Sequence, residues 1–127
     1  MEDRGVLVDT SIFIQHIRAK NKSGTVLASL NASRLVLSSI TVFELLIGAK
    51  DSQRKLEIWN LLGGLDIQYV DVSVAEKAAD IFVSLKAKNQ LIEFRDIFIA
   101  ATALVHRLPV VTLNVNHFER IDGLLIL

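Results

Sequence analysis

The fold is decided by the stretch Gly5-Val6-Leu7-Val8-Asp9-Thr10-Ser11-Ile12-Phe13-Ile14. Its opening run, 5–8, is apolar without alternation, as in a strand buried on both faces, and it stops at Asp9. From Thr10 to Ile17 the apolar residues return at helical spacing, so a short helix follows at once. A buried strand that ends at a carboxylate and passes directly into a helix predicts the first unit of a parallel α/β sheet.

The same alternation of strand and helix continues along the chain. Further strands are predicted over 34–37, 65–70, 110–113 and 124–127, and further helices over 25–30, 41–49, 52–62, 74–88 and 96–106. The last helix is apolar nearly all round, which predicts a buried position in the core or in a subunit interface. Strands that are continuous apolar runs, separated by helices, predict a parallel sheet covered on both faces.

The composition limits the class of protein. The 127 residues fit one domain, and with 51% hydrophobic residues the chain can bury a core of its own. The 14 basic and 14 acidic side chains cancel, so any affinity for nucleic acid must come from a local patch or a bound cation. The absence of cysteine excludes disulfides and thiolate metal sites. The charged start, 1–4, precedes only a short apolar run, and no run is long enough to span a bilayer, so we expect a cytoplasmic protein.

Polar residues of one chemical kind follow the predicted strands. Asp9 ends the first strand, Glu44 lies in the first turns of the helix after the second, Asp96 opens the buried helix, and Thr112 and Asn114 end the strand after Pro109. Ligands of α/β sheets bind outside the carboxyl ends of the strands. Oxygen ligands without cysteine or a histidine pair favour Mg²⁺ or Mn²⁺ over zinc. Packed carboxylates repel one another, so we expect a metal to stabilise this site.

Helix capping is the competing interpretation of each carboxylate. Asp9 and Asp96 stand where an N-cap is expected, and Glu44 completes the pattern Thr41-x-x-Glu44 of a capping box. Capping gives no reason, however, for all three to converge on one sheet edge. Taken together, Asp9, Glu44 and Asp96 therefore favour a metal site.

Four segments of the chain resemble the PIN-domain family, and most closely its VapC-type ribonuclease toxins. They are Leu7-Val8-Asp9-Thr10-Ser11-Ile12-Phe13-Ile14, Ile40-Thr41-Val42-Phe43-Glu44-Leu45-Leu46-Ile47-Gly48-Ala49, Asp96-Ile97-Phe98-Ile99-Ala100-Ala101-Thr102-Ala103-Leu104, and Val111-Thr112-Leu113-Asn114 with His117-Phe118. Their order, spacing and flanking apolar residues match the family over essentially the whole chain. The resemblance implies a three-layer α/β/α, Rossmann-like PIN fold with a short, mainly parallel sheet, in a single domain over 1–127.

The resemblance also implies an activity and partners. It implies a Mg²⁺- or Mn²⁺-dependent endoribonuclease that hydrolyses RNA with a metal-activated water, a homodimer, and a VapB-like antitoxin that blocks the active site. The family's acidic residues map by motif onto Asp9, Glu44 and Asp96, and its supporting hydroxyls map onto Ser11 and Thr112. Hydrolysis by a metal-activated water does not need the 2′-hydroxyl of the RNA, so we predict products with a 5′-phosphate and a 3′-hydroxyl.

One position departs from the family pattern. The fourth acidic position is commonly Asp, and here it is Asn114, whose carbonyl oxygen can coordinate a metal but brings no charge. Glu93 precedes Asp96 by one helical turn, where some family members carry another acidic residue, and it can compensate as a metal ligand.

Several other interpretations stay open. A neutral Asn114 is compatible with a catalytically weak PIN fold that acts by binding antitoxin or RNA. A phosphohydrolase with Asp9 as covalent nucleophile needs a second Asp two residues on, where this chain has Ser11.

The basic residues near the predicted site are also ambiguous. Arg18, Lys20 and Lys22 form either an ordinary solvated loop or a patch that contacts RNA phosphates. Arg95, beside Asp96, has the same two interpretations. His117 follows Asn114 at a spacing that can face the site, whereas His16 and His106 are isolated on helices, and none of the three receives a role.

Overall fold

The computed structural model describes residues 5–32 and 34–127, and the charged start Met1–Arg4 and Ser33 lie outside the described residues. In chain order the elements are β1 (Gly5–Val8), α1 (Thr10–Arg18), a 3₁₀ turn (Lys22–Gly24), α2 (Val26–Ser29), β2 (Arg34–Ser38), α3 (Ser39–Ile47), α4 (Ser52–Leu62), β3 (Asp66–Gln68), α5 (Val72–Ala87), α6 (Phe94–Val105), β4 (Val110–Val111) and α7 (Val115–Phe118). No helix among these described elements is both long and apolar enough to cross a bilayer.

The described strands form one sheet in the order β3-β2-β1-β4, and every pair is parallel. Leu7 of β1 lies opposite Val36 of β2 on one side and opposite Val110 of β4 on the other. The chain thus adds β2 and β3 on one side of β1 and then crosses over to place β4 on the other side. This reversal puts the topological switch point between β1 and β4, which is where α/β sheets bind ligands.

Helices cover both faces of the sheet. Leu7 and Val110 pack in the core cluster formed with α5, α6 and α7, whereas the next residues along their strands, Val8 and Val111, pack in the cluster formed with α1, α3 and α4. Neighbouring strand residues point to opposite faces of the sheet, so a strand that is apolar throughout is buried on both faces. The structure therefore confirms the expected three-layer α/β/α fold with a parallel sheet.

Three strand predictions were too long. The strand predicted over 110–113 ends at Val111. The third strand covers only Asp66–Gln68, and Val70 instead donates its N–H to Ser39 Oγ at 3.3 Å. The predicted last strand, 124–127, is reduced to one parallel bridge between Val110 and Ile126. The side chains of Leu125 and Leu127 are exposed, so one face of this segment is not covered by the protein. The segment therefore lies at the edge of the sheet and pairs only through the bridge.

Candidate metal centre

Asp9 lies at the switch point and is 1% exposed. Its Oδ2 accepts hydrogen bonds from Ser11 Oγ at 2.7 Å and from Thr112 Oγ1 at 2.8 Å, with a longer contact of 3.4 Å to the Ser11 N–H. Each hydroxyl already accepts a backbone N–H, from Leu113 to Ser11 and from Asn114 to Thr112, so its hydrogen is directed at the carboxylate. Within the part of the chain that the structure describes, every hydrogen bond to the Asp9 carboxylate goes to Oδ2, and Oδ1 accepts none.

Glu44 projects from α3 towards the same edge. Thr10 Oγ1 lies 2.8 Å from Glu44 Oε1 and 2.9 Å from the buried hydroxyl of Thr41, so one end of the carboxylate is held by a short hydroxyl chain. The other oxygen, Oε2, is 3.1 Å from Arg95 Nη1. The sequence analysis left the role of Arg95 open, and the structure brings it onto a predicted metal ligand.

Asp96 lies in the first turn of α6, and its Oδ2 is 2.8 Å from His117 Nδ1 of α7. No role was predicted for His117, so this contact was missed. The useful signal was Phe118, a fully buried residue that fixes α7 against α6 and thereby places the preceding histidine at the site.

Mutual repulsion shows in the acid–base properties of the cluster. Burial is the main cause that raises the pKa of both Glu44 and Asp96, and the charge of Asp9 raises both further. The Thr10 hydroxyl and Arg95 oppose the rise of the Glu44 pKa, and His117 opposes that of Asp96. The three carboxylates therefore lie within range of one another's charge, an arrangement that attracts a cation.

Capping does not account for this arrangement. The N-cap of α3 is Ser38, so Glu44 belongs to no capping box at that helix end. The N-cap of α6 is Glu93, without a side-chain capping bond, and Asp96 lies inside the helix. Only Asp9, of the three predicted ligands, caps a helix in the described structure.

The donor set fits a hard divalent cation in its chemistry, because it is made of carboxylate oxygens. Within residues 5–32 and 34–127, however, no three His, Cys, Asp or Glu side chains converge closely enough to hold a metal as they stand. Glu44 and Asp96 are turned to Arg95 and His117 instead. We therefore expect a metal at these residues to compete with the contacts that Arg95 and the His117 imidazole make.

The two other predicted metal ligands, Asn114 and Glu93, make no direct side-chain contact with the three carboxylates in the described structure. Asn114 is exposed and begins α7, and its described contact at the site is the backbone bond to Thr112. Glu93 is 63% exposed and its Oε2 lies 2.6 Å from Arg95 Nη2. Its charge still contributes to the raised pKa of Asp96, so it lies near the cluster, joined to it through Arg95.

The basic loop divides into different roles. Lys22 Nζ donates to three backbone carbonyls, at 2.9, 2.9 and 3.0 Å, which belong to His16, Ile17 and Ala19. These carbonyls end α1, so the ammonium caps the helix and favours its negative end. Arg18 and Lys20 are exposed, and Arg18 lines a neighbouring groove.

That groove, of about 770 Å³, runs between α1, α3 and α4. Glu44 lines it, so the groove opens onto the carboxylate cluster. Its lining is mixed. The apolar side chains include Ile14, Leu45, Ile58 and Leu61, the basic ones are Arg18, Lys22, Lys50 and Arg54, and the acidic ones are Glu44 and Glu57.

A parallel α/β domain with an acidic cluster at its switch point defines the class of this protein. Residues 6–124 match the family model of the PIN domain, and the chain belongs to the PIN-domain family. It is 32% identical over 120 residues to ribonuclease VapC10 of Mycobacterium tuberculosis, covering 94% of this chain and 90% of that protein.

Two further relatives extend the comparison. The chain is 32% identical over 122 residues to the tRNA(fMet)-specific endonuclease VapC of Shigella flexneri, covering 93% of this chain and 92% of the relative. The crystal structure of DNA-bound VapBC from Salmonella typhimurium contains a chain that superposes with a TM-score of 0.81 at 31% identity, covering 97% of this chain and 96% of that one. The resemblance noted in the sequence is thus confirmed at the level of family and fold.

Proposed function

We propose that this chain is a single PIN domain over 1–127 and a divalent-metal-dependent endoribonuclease, the toxin of a toxin–antitoxin pair. The observation that carries the proposal is Asp9, a buried carboxylate at the switch point whose Oδ2 is held by Ser11 and Thr112, whereas Oδ1 accepts no hydrogen bond from the described residues. The names of its relatives support the substrate, since they are called ribonuclease and tRNA-specific endonuclease.

The metal we propose is Mg²⁺ or Mn²⁺, held by Asp9, Glu44 and Asp96. A bound divalent cation supplies two things to hydrolysis of a phosphodiester: it lowers the pKa of water, and it offsets charge on the phosphate. The protein's part is to orient the carboxylates. Ser11 and Thr112 orient Asp9, because both hydroxyl hydrogens are committed to one carboxylate oxygen.

The direct test is cleavage of RNA with Mg²⁺ or Mn²⁺ by the wild type and by Asp9→Asn. The Asn side chain can place its carbonyl oxygen where Oδ2 accepts from Ser11 and Thr112, so we expect the fold to be kept. An amide nitrogen then faces the metal, and we expect activity to fall at least 100-fold, as for loss of an essential group. The products should carry a 5′-phosphate and a 3′-hydroxyl.

Asp80→Asn is the matched control, because Asp80 is an exposed Asp of α5, a helix on the other face of the sheet from α1 and α4. We expect it to cleave like the wild type. Equal residual activity of wild type and Asp9→Asn would instead support the binding-module alternative. A 2′,3′-cyclic phosphate on the product would contradict metal-activated water as the nucleophile.

We further propose that the groove beside Glu44 receives a segment of an antitoxin, since the structural relatives include a complex named VapBC. Its lining fits a segment that offers apolar anchors to Leu45 and Leu61 and acidic groups to Lys50 and Arg54. A segment seated there would lie against Glu44 and exclude RNA from the carboxylates.

The partner test uses the protein encoded by the adjacent upstream reading frame. Reversing two groove charges, Lys50→Glu with Arg54→Glu, should weaken its binding at least tenfold in calorimetry. Lys77→Glu on α5, which lies on the other side of the sheet from the groove, should leave the affinity unchanged. Equal affinity for all three proteins would remove the groove from the proposal.

A homodimer completes the proposed assembly. Phe43 and Ile47 lie one turn apart on α3 and are 54% and 64% exposed, which is unusual for large apolar side chains so close together. Phe43→Asp should therefore shift the mass measured by light scattering from dimer to monomer. Val83→Asp, at an equally exposed apolar position of α5, should leave the mass unchanged.

A further inference from the structure

We propose that Arg95 binds a phosphate of the RNA substrate beside the carboxylate cluster, and that Glu93 is the positioning residue that holds it there. The inference rests on the proposed ribonuclease function and adds a specific contact to it. It also gives Glu93 a role different from the metal ligand suggested by its place in the sequence.

The geometry of Arg95 suits this role. It is the second residue of α6, and its side chain is 48% exposed. Nη1 lies 3.1 Å from Glu44 Oε2 and Nη2 lies 2.6 Å from Glu93 Oε2. A guanidinium has five N–H donors in a rigid plane, so two carboxylate contacts leave donors that face solvent at the mouth of the site.

The two carboxylates hold Arg95 differently. Glu93 is only two residues away, 63% exposed, and makes the shorter contact, so it can keep Arg95 in place without help from elsewhere. Glu44 is well buried and belongs to the cluster predicted to bind metal. Its bond to Arg95 is therefore the one that can be exchanged for a phosphate oxygen, whereas the bond to Glu93 remains.

The site is rich in negative charge, and Arg95 is a positive charge in direct contact with it. Asp9, Glu44, Asp96 and Glu93 all influence this edge of the sheet, and each repels a polyanion. The nearby Lys22 is engaged by backbone carbonyls at the end of α1. Arg95 contacts the cluster directly, and guanidinium groups bind phosphate oxygens with paired, charge-assisted hydrogen bonds.

The experiment measures RNA binding without cleavage. A fluorescent single-stranded RNA is titrated in Mg²⁺ against proteins that carry Asp9→Asn, alone and with Arg95→Gln, Arg95→Lys or Glu93→Gln. We expect Arg95→Gln to raise Kd about tenfold and to reduce the salt dependence of binding by about one counterion, as for loss of one phosphate contact. Arg95→Lys should be intermediate, and Glu93→Gln should raise Kd about threefold.

Arg107→Gln is the matched control, because Arg107 is an exposed arginine just beyond the other end of α6. It should bind RNA as the Asp9→Asn parent does. The same affinity and salt slope for Arg95→Gln and Arg107→Gln would overturn the inference. The inference would also be overturned if metal raised the Tm of the Asp9→Asn parent but not that of the variant with Arg95→Gln. Arg95 would then affect RNA binding through the carboxylates and their metal.

Failure of the two proposals can be told apart. A wild type that cleaves no RNA in Mg²⁺ or Mn²⁺ contradicts the proposed function, whatever Arg95 does to binding. A wild type that cleaves RNA, with an Arg95→Gln variant of unchanged KM, contradicts only the phosphate contact. We expect Arg95→Gln to raise KM more than it lowers kcat, because the contact is made to bound substrate.

Discussion

Replacing Glu44 by Gln should make the metal-free protein more stable at pH 7.5. Burial and the charges of Asp9 and Asp96 raise the pKa of Glu44, so the ionised carboxylate opposes folding. A group whose folded pKa is raised stabilises the fold below its unfolded pKa, and that stability is lost as the pH rises through the folded pKa. Where Glu44 is ionised in the folded protein that stability is lost, and a neutral Gln avoids the loss.

The size of the effect follows from what Gln keeps and loses. Its amide oxygen can still accept from Thr10, which lies 2.8 Å from the Glu44 carboxylate. It loses the ion pair with Arg95, but that guanidinium is half exposed and solvent already weakens the attraction. Removing one charge from a partly buried cluster should therefore give a net gain of about 1 kcal/mol, which is a rise in Tm of about 4 °C.

Thermal unfolding with and without metal is the assay. Excess Mn²⁺ at about 100 times its Kd should stabilise the wild type by about 2.7 kcal/mol, or about 10 °C. Glu44→Gln should show a much smaller shift because a ligand is lost. Its advantage over the metal-free wild type should also shrink as the pH falls towards 4, where Glu44 becomes protonated and as neutral as Gln.

A lower Tm of metal-free Glu44→Gln at pH 7.5 would refute this reasoning. It would mean that the attraction between Glu44 and Arg95 outweighs burial and the repulsion by Asp9 and Asp96. Glu57→Gln is the matched control, because Glu57 is an exposed residue of α4 paired with Arg54. Its Tm should change by less than about 2 °C, with or without Mn²⁺.

Three further predictions concern the neighbours of the carboxylates. Thr112→Val removes a buried hydrogen-bond donor to Asp9. It should lower the free energy of unfolding in urea by about 1–2 kcal/mol and RNA cleavage about tenfold, and unchanged cleavage would show that Asp9 does not need this donor. Asn114→Asp adds a charge beside the cluster, so in thermal scans we expect a lower metal-free Tm and a larger rise with Mn²⁺, and unchanged scans would place this side chain away from the metal. Lys22→Ala should lower the helical circular-dichroism signal, and lower Tm by a few degrees, with little change in RNA affinity, because Lys22 binds the carbonyls at the end of α1. Lys20→Ala should leave both the Tm and the RNA affinity unchanged. A loss of RNA affinity in Lys22→Ala without a loss of Tm would instead support a phosphate contact by Lys22.

The fold could be predicted largely from the sequence because its strands are buried on both faces. Continuous apolar runs identify such strands without any knowledge of their partners, and the runs 5–8 and 34–37 were placed within a residue of their observed ends. The segment 124–127 is equally apolar but has an exposed face, so composition could not distinguish a strand from a single bridge. Short strands depend on neighbours, which periodicity does not show.

The sequence was enough to select the three carboxylates of the proposed site, but not the side chains that contact them. Asp9, Glu44 and Asp96 follow from position at strand ends and helix starts, a local property. The contacts of Arg95 with Glu44 and of His117 with Asp96 join residues far apart in sequence and depend on how α3, α6 and α7 pack. The capping box of Glu44 was a false alternative because Ser38, three residues before Thr41, had already taken the N-cap.

These partners suggest a division of labour among the three carboxylates. Asp9 is stabilised by neutral hydroxyl donors, which do not compete for its charge and do not need to move when a cation binds. Glu44 and Asp96 instead contact Arg95 and the imidazole of His117, and a metal ion would compete with these contacts. In the proposed metal site we therefore expect Asp9 to be the preformed ligand, and the other two carboxylates to exchange an internal partner for the metal. Metal affinity in this chain should consequently depend on how tightly Arg95 and His117 are held as much as on the carboxylates themselves.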